Sequence, residues 1–201
     1  MKLLRQTIRR MILQEGMKMP EQLPEGVLVV IDYTIPGKVD IYYGKREGES
    51  VFEIHSGEDL FGSVEIYLKT SDYDYGPCDG AATVRNTEAA DGWGPLLYDV
   101  AIEVASSEAS GLIADRRSVS GEAWDVWNTY MTKRDDVDHF QLDDSYDTLT
   151  SDWEDNCDQD VAVEDPRSGD WLESPLSKMY SKNGQPMMDK LADLGKLVET
   201  F

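Results

Sequence analysis

Three features of the sequence predict an α+β fold. Residues 27–70 contain four short runs rich in β-branched and aromatic residues: VLVVIDY, VDIYY, SVFEIH and SVEIYL. Pro36-Gly37, Gly44 to Gly48 and Ser56-Gly57 separate them with turn chemistry. Residues 80–142 then alternate strand, helix, strand, helix, strand. The 201 residues are 40% apolar and 29% charged, a globular composition with room for one domain of ordinary size plus an extension. Four strands followed by such an alternation give a mixed, mostly antiparallel sheet flanked by helices.

Leu4, Ile8, Met11 and Ile12 recur at helical spacing opposite Arg5, Arg9 and Arg10, so residues 1–20 read as an N-terminal amphipathic helix ended by Gly16 and Pro20. Two roles suit it: packing on the body, or acting as a detachable basic docking helix. After the four-strand meander, SDYDYGPCDG is a loop and AATVRN a further strand. Leu96, Leu97, Val100, Ala101, Val104 and Ala105 form one apolar stripe behind GWGP, with Pro95 suited to a helix start. GLIAD reads as a short buried strand. Ala123, Val126, Trp127, Tyr130 and Met131 mark a second helix, which Ser118 is expected to cap and whose C-terminal end carries Lys133 and Arg134. VDHFQL is the last expected strand. SPLSKMYSK and MMDKLADLGKLVETF read as two short helical pieces, with Leu191, Leu194, Leu197 and Val198 as a packing face. The organisation is thus a helix over 1–20, a domain over 25–145 and an acidic, partly helical extension over 146–201.

Forty acids against nineteen bases give a net charge of −21, which excludes sequence-independent docking on nucleic-acid phosphates and disfavours anionic lipid. Basic partners are favoured instead. No apolar run reaches the roughly 18–20 residues of a membrane span. Cys78 and Cys157 are too few for a disulfide framework and fit no zinc spacing, so free thiols in a reducing compartment are expected. The N-terminal bases interrupt any signal-peptide core, which points to the cytoplasm. Asp72, Asp74 and Asp79 lack the glycine and closing glutamate of a calcium loop, and neither His55 nor His139 has a partner at ligand spacing. No metal site is expected. Between Asp135 and Asp165 there is no Lys or Arg, a pattern of solvated, partly irregular surface with Trp153 as its one anchor.

The chemistry concentrates between Gly80 and Arg134. A strand runs into Gly92-Trp93-Gly94, which opens a helix; unpaired N–H groups and the positive helix end there suit a phosphate or diphosphate. A glycine turn without ligand is the alternative. This block resembles the GCN5-related N-acetyltransferase (GNAT) superfamily, in a divergent form met among tailed-phage proteins. In that family a strand leads into Q/R-x-x-G-x-G/A and a helix holding the diphosphate of acetyl-coenzyme A. Ala89-Ala90-Asp91-Gly92-Trp93-Gly94 occupies that place here. The family's following N-x-x-A-x-x-x-Y corresponds to Ser120-x-x-Ala123-x-x-x-Trp127.

The resemblance covers roughly residues 25–145 and implies an acetyl-CoA-dependent N-acetyltransferase. The strand from Ala82 to Arg85, with Ala82 and Val84 as its cofactor-binding positions, would pair with the pantetheine amides through its backbone. Backbone at Gly92, Trp93, Gly94, Leu96 and Leu97, with Ser120, would hold the rest of the cofactor. Trp127 replaces the tyrosine that protonates the leaving thiolate, so Tyr130 or Tyr98 would substitute, and Glu65 would serve as general base. Ala89 lacks the side-chain contact of Gln or Arg. The acidic surface favours a cationic acceptor: a small-molecule amine, or an amine of a basic protein. Two rival functions stand beside this one. One is a non-catalytic binding or structural module, of a virion if the chain is viral; the other is an acidic mimic of DNA. An acyltransferase is expected to show splayed strands beside Trp93 with an opening between them, and a structural module to show that cleft filled by side chains.

Overall fold

The computed structural model describes residues 17–55, 57–58, 60–68, 80–115, 118–142, 167 and 171–201. Residues 1–16 of the helix expected over 1–20, both cysteines, the loop with Asp72, Asp74 and Asp79, Arg116, Arg117 and the acidic run with Trp153 lie outside the described residues.

The four runs of the meander become β1 (Val27–Asp32), β2 (Lys38–Glu47), β3 (Ser50–Glu53) and β4 (Gly62–Tyr67). Pro36 and Gly37 take the centre of the turn between β1 and β2. Lys38 N–H closes it on the Ile35 carbonyl at 3.0 Å, with Gly37 at φ +77°. β5 (Ala82–Ala89) runs on to the glycine turn, and α1 (Gly94–Glu108), β6 (Leu112–Ile113), α2 (Gly121–Lys133) and β7 (Asp138–Gln141) follow. With β8 (Lys178–Ser181) and β9 (Leu197–Thr200) from the C-terminal region, the strand order is β7-β8-β6-β5-β4-β2-β1-β9, with β3 paired to β2. Only β5/β6 and β1/β9 are parallel pairs among the described strands. The result is a mixed α+β protein with a mostly antiparallel open sheet and three α-helices among the described residues.

The C-terminal region departs from the expected pair of helical pieces. SPLSKMYSK forms a 3-10 turn at Pro175–Ser177 and then β8 (Lys178–Ser181), which inserts between β6 and β7. Two otherwise unpaired edges impose the extended state there, overriding a weak local preference. MMDKLADLGKLVETF splits into α3 (Pro186–Asp193) and β9 (Leu197–Thr200). Gly195 (φ +66°) ends the helix: its N–H donates to the Ala192 carbonyl at 2.9 Å and Lys196 N–H to the Leu191 carbonyl at 2.8 Å. That is the Schellman pattern, and it turns the chain out to lie parallel to β1.

α1 packs on β2, β4, β5, β6 and β8 and is buried at every residue from Leu96 to Ala105. The sequence shows one apolar stripe; the structure covers the opposite side too, because α3 and β8 close over it. Asp99 and Glu103 on that side are fully buried and paired. Lys182 Nζ lies 2.8 Å from Asp99 and 3.0 Å from Glu103, while Arg134 binds both oxygens of Asp99 at 3.2 and 2.9 Å. The Glu103 carboxylate also accepts the N–H groups of Met187 (2.9 Å) and Met188 (2.8 Å), so it caps α3.

Candidate functional site

β5 pairs with β4 from Thr83↔Tyr67 to Ala89↔Gly62, but with β6 only at Ala82↔Leu112 and Thr83↔Ile113. Its register on β4 slips where Glu65 faces Asn86 and Ile66 faces Val84, leaving Arg85 as the extra residue of a bulge. A bulge bends and twists the strand that carries it. This one sits two residues past the last pair with β6, so the parallel strands part there. Beyond Thr83, β5 turns a strand edge toward the gap with no described strand on it.

The gap holds a cavity of about 190 Å³. Residues 84–87 of β5 form one wall and Tyr98 of α1 the floor; Asp115, just past β6, and the first turns of α2 close the other side. Ser120 caps α2, its hydroxyl accepting Ala123 N–H at 3.2 Å; Ser118, expected in that role, instead donates its N–H to Asp115 Oδ1 at 3.2 Å. Ser120, Ala123 and Trp127 all line the cavity. Trp127 is 1% exposed, edge-on to Tyr98 (5.2 Å between centroids) and stacked on Tyr180 (5.0 Å). The Tyr98 hydroxyl donates to Thr87 Oγ1 at 3.3 Å. Burial raises the Tyr98 pKa, and the Asp115 charge adds to the shift, so the hydroxyl keeps its proton at neutral pH.

The glycine turn lies at the far end of β5. Gly92 takes φ +80°, and Trp93 N–H closes the turn on the Ala90 carbonyl at 3.0 Å. Trp93 is wedged edge-on against Tyr43 (5.6 Å), whose hydroxyl donates to the Trp93 carbonyl at 2.8 Å. Lys18 N–H donates to the Gly92 carbonyl at 2.9 Å, and its ammonium stands 5.9 Å from the Trp93 ring centroid. No side chain caps the start of α1. A Cβ at Gly94 would meet only the Ala89 Cβ, at 3.5 Å, an ordinary contact.

Of the residues singled out from sequence, Val84, Ser120 and Tyr98 line the cavity. Ala82 is buried just before the strands part. Gly92, Trp93, Gly94, Leu96 and Leu97 make the neighbouring turn and helix start, with both leucine side chains fully buried. Tyr130 is not on the lining: its hydroxyl donates to the Pro95 carbonyl at 3.2 Å, and burial holds its pKa well above the usual value. Glu65 is not on it either and is paired with Lys38 at 2.7 Å. The sequence reading missed Asn86, Thr87 and Asp115. A carboxylate directly after a short apolar run was the one signal available for Asp115.

Compared with family models, curated proteins and solved structures, the chain matches none. No helix among the described residues is long and apolar enough to cross a membrane, and no group of His, Cys, Asp or Glu among them is arranged to hold a metal ion.

Proposed function

We propose that the chain binds acetyl-CoA across the gap between β5 and β6 and transfers the acetyl group to an amine of a cationic small molecule or basic protein. The parting of the β5/β6 pair carries this reading. It leaves a strand edge with no described strand on it beside Ser120, Ala123 and Trp127, while the glycine turn and the uncapped start of α1 follow at the far end of the same strand. An extended, amide-bearing ligand pairs with a strand edge as another strand would. Diphosphate suits the start of α1, where Gly94 leaves room for close approach. A volume of about 190 Å³ is below the roughly 300–1,000 Å³ of sites that enclose a whole ligand. The cavity therefore suits the reacting end, with the remainder lying along the open edge.

Acetyl-CoA, when bound, supplies the activated thioester. The protein's own part is positional and acid–base. The 84–88 edge fixes direction, Trp127 and Tyr98 exclude water from the floor, and the Tyr98 hydroxyl holds a proton to return to the departing sulfur. The non-catalytic reading keeps one observation in its favour: Trp127 fills much of the space between Tyr98 and Tyr180. Calorimetric titration of acetyl-CoA into the full chain separates them. Saturable one-to-one binding supports the transferase; no heat at millimolar ligand with folded protein leaves the binding module.

A further inference from the structure

We propose that the Asp115 carboxylate receives the ammonium group of the acceptor and takes its proton. This rests on the transferase reading above and names the acceptor class by its charge.

Among the described residues, Asp115 is the one carboxylate on the cavity lining. It follows fully buried Ala114 at the end of β6, and the Ser118 N–H steadies its Oδ1 at 3.2 Å. The other titratable groups on the lining are Arg85 of β5 and Tyr98 of α1. Arg85 is exposed, with its guanidinium 5.5 Å from the Tyr67 ring. Tyr98 is protonated and uncharged at neutral pH. Glu65 is held by Lys38 away from the lining. A net charge of −21 concentrates cations around the whole molecule.

The proton accounting closes with these groups. Asp115 accepts one proton from the ammonium. The freed nitrogen bonds to the acetyl carbon as the carbon–sulfur bond breaks, and the sulfur takes the Tyr98 hydroxyl proton. The acetylated nitrogen gives up its second proton, which passes through water to the Tyr98 oxygen, and Asp115 releases its own proton to solvent.

The test uses the full chain, spermidine as probe amine, and Asp115→Asn, which keeps an oxygen for the Ser118 N–H. Calorimetry should show acetyl-CoA affinity unchanged and spermidine affinity down about 10- to 100-fold, the size of a lost charged hydrogen bond. Thiol release from acetyl-CoA with spermidine should fall about 100-fold or more. Asp115→Glu should recover part of both. An Asp115→Asn protein that binds spermidine and releases thiol like the wild type overturns the proposal. So does a wild type that binds acetyl-CoA but neither binds nor acetylates spermidine. Asp115-dependent spermidine binding without acetyl-CoA binding would support the ammonium seat and remove the transferase reading.

Discussion

Lys182→Met removes the cation that two buried carboxylates share, and its cost follows from what remains. Asp99 keeps Arg134 on both oxygens, but Glu103 is left with only the N–H groups of Met187 and Met188. The two acids stand one helical turn apart, both fully buried, with Lys182 only 7% exposed as a residue. Removing one partner of a buried ion pair costs about 3–5 kcal/mol, because the other charge stays behind uncompensated. That is a large part of the roughly 5–15 kcal/mol that holds a domain of ordinary stability together. With a urea slope of about 2 kcal/mol/M, the midpoint should drop by about 1.5–2.5 M. Adding Glu103→Gln removes the stranded charge while leaving an oxygen to cap α3, so the double variant should recover most of the loss. Equilibrium urea unfolding followed by tryptophan fluorescence reads both. A single-variant shift below about 0.3 M, or a double variant no better than the single, would refute the account of this cluster.

Tyr98→Phe should leave acetyl-CoA binding intact and lower thiol release about 100-fold, measured by the same titration and a thiol assay; an undiminished rate would remove Tyr98 as the acid. Asp136, held below its ordinary 3.8 mainly by hydrogen bonds from Arg134, contributes stability that is complete above that value and is lost as pH falls through its lower folded pKa. Asp136→Asn should flatten thermal stability against pH in that acidic window and nowhere else, a comparison that melting curves from pH 2 to 7 provide.

The block from Ala82 to Lys133 is legible because each element is specified locally. β5 ends in a glycine turn, α1 and α2 carry apolar residues at helical spacing, and Ser120 is a capping residue. Ser118 attracted the cap assignment because both serines precede the same helix. The helix starts at Gly121, which places Ser120 rather than Ser118 at the cap. β8 is not legible. Lys178 and Ser181 flank only two apolar residues, and the extended state comes from the edges of β6 and β7, far away in sequence. In the last fifteen residues, Leu191, Leu194 and Leu197 coincide with a helical stripe. The positive φ of Gly195 breaks the stripe where no periodicity signals it. Asp99 and Glu103 look like the wet face of α1; their partners lie in Arg134, Lys182 and the start of α3, which no local pattern connects to them. The cavity is half legible for the same reason. Ser120, Ala123 and Trp127 share a helix face, whereas the bulge at Arg85 and the arrival of Asp115 opposite it depend on sheet register.

Gly94→Glu against the wild type, titrated with acetyl-CoA, tests the central claim most directly. The new Cβ has room, and a negative charge at a helix start is favourable, so the variant should fold with unchanged or slightly raised stability. At the same place it would meet the diphosphate proposed for this helix start. Two unit charges about 4 Å apart near a protein surface repel by about 4 kcal/mol, on the order of a thousandfold in Kd. The account predicts saturable binding by the wild type and none measurable by the folded variant. Equal binding by both would put the ligand elsewhere and contradict it.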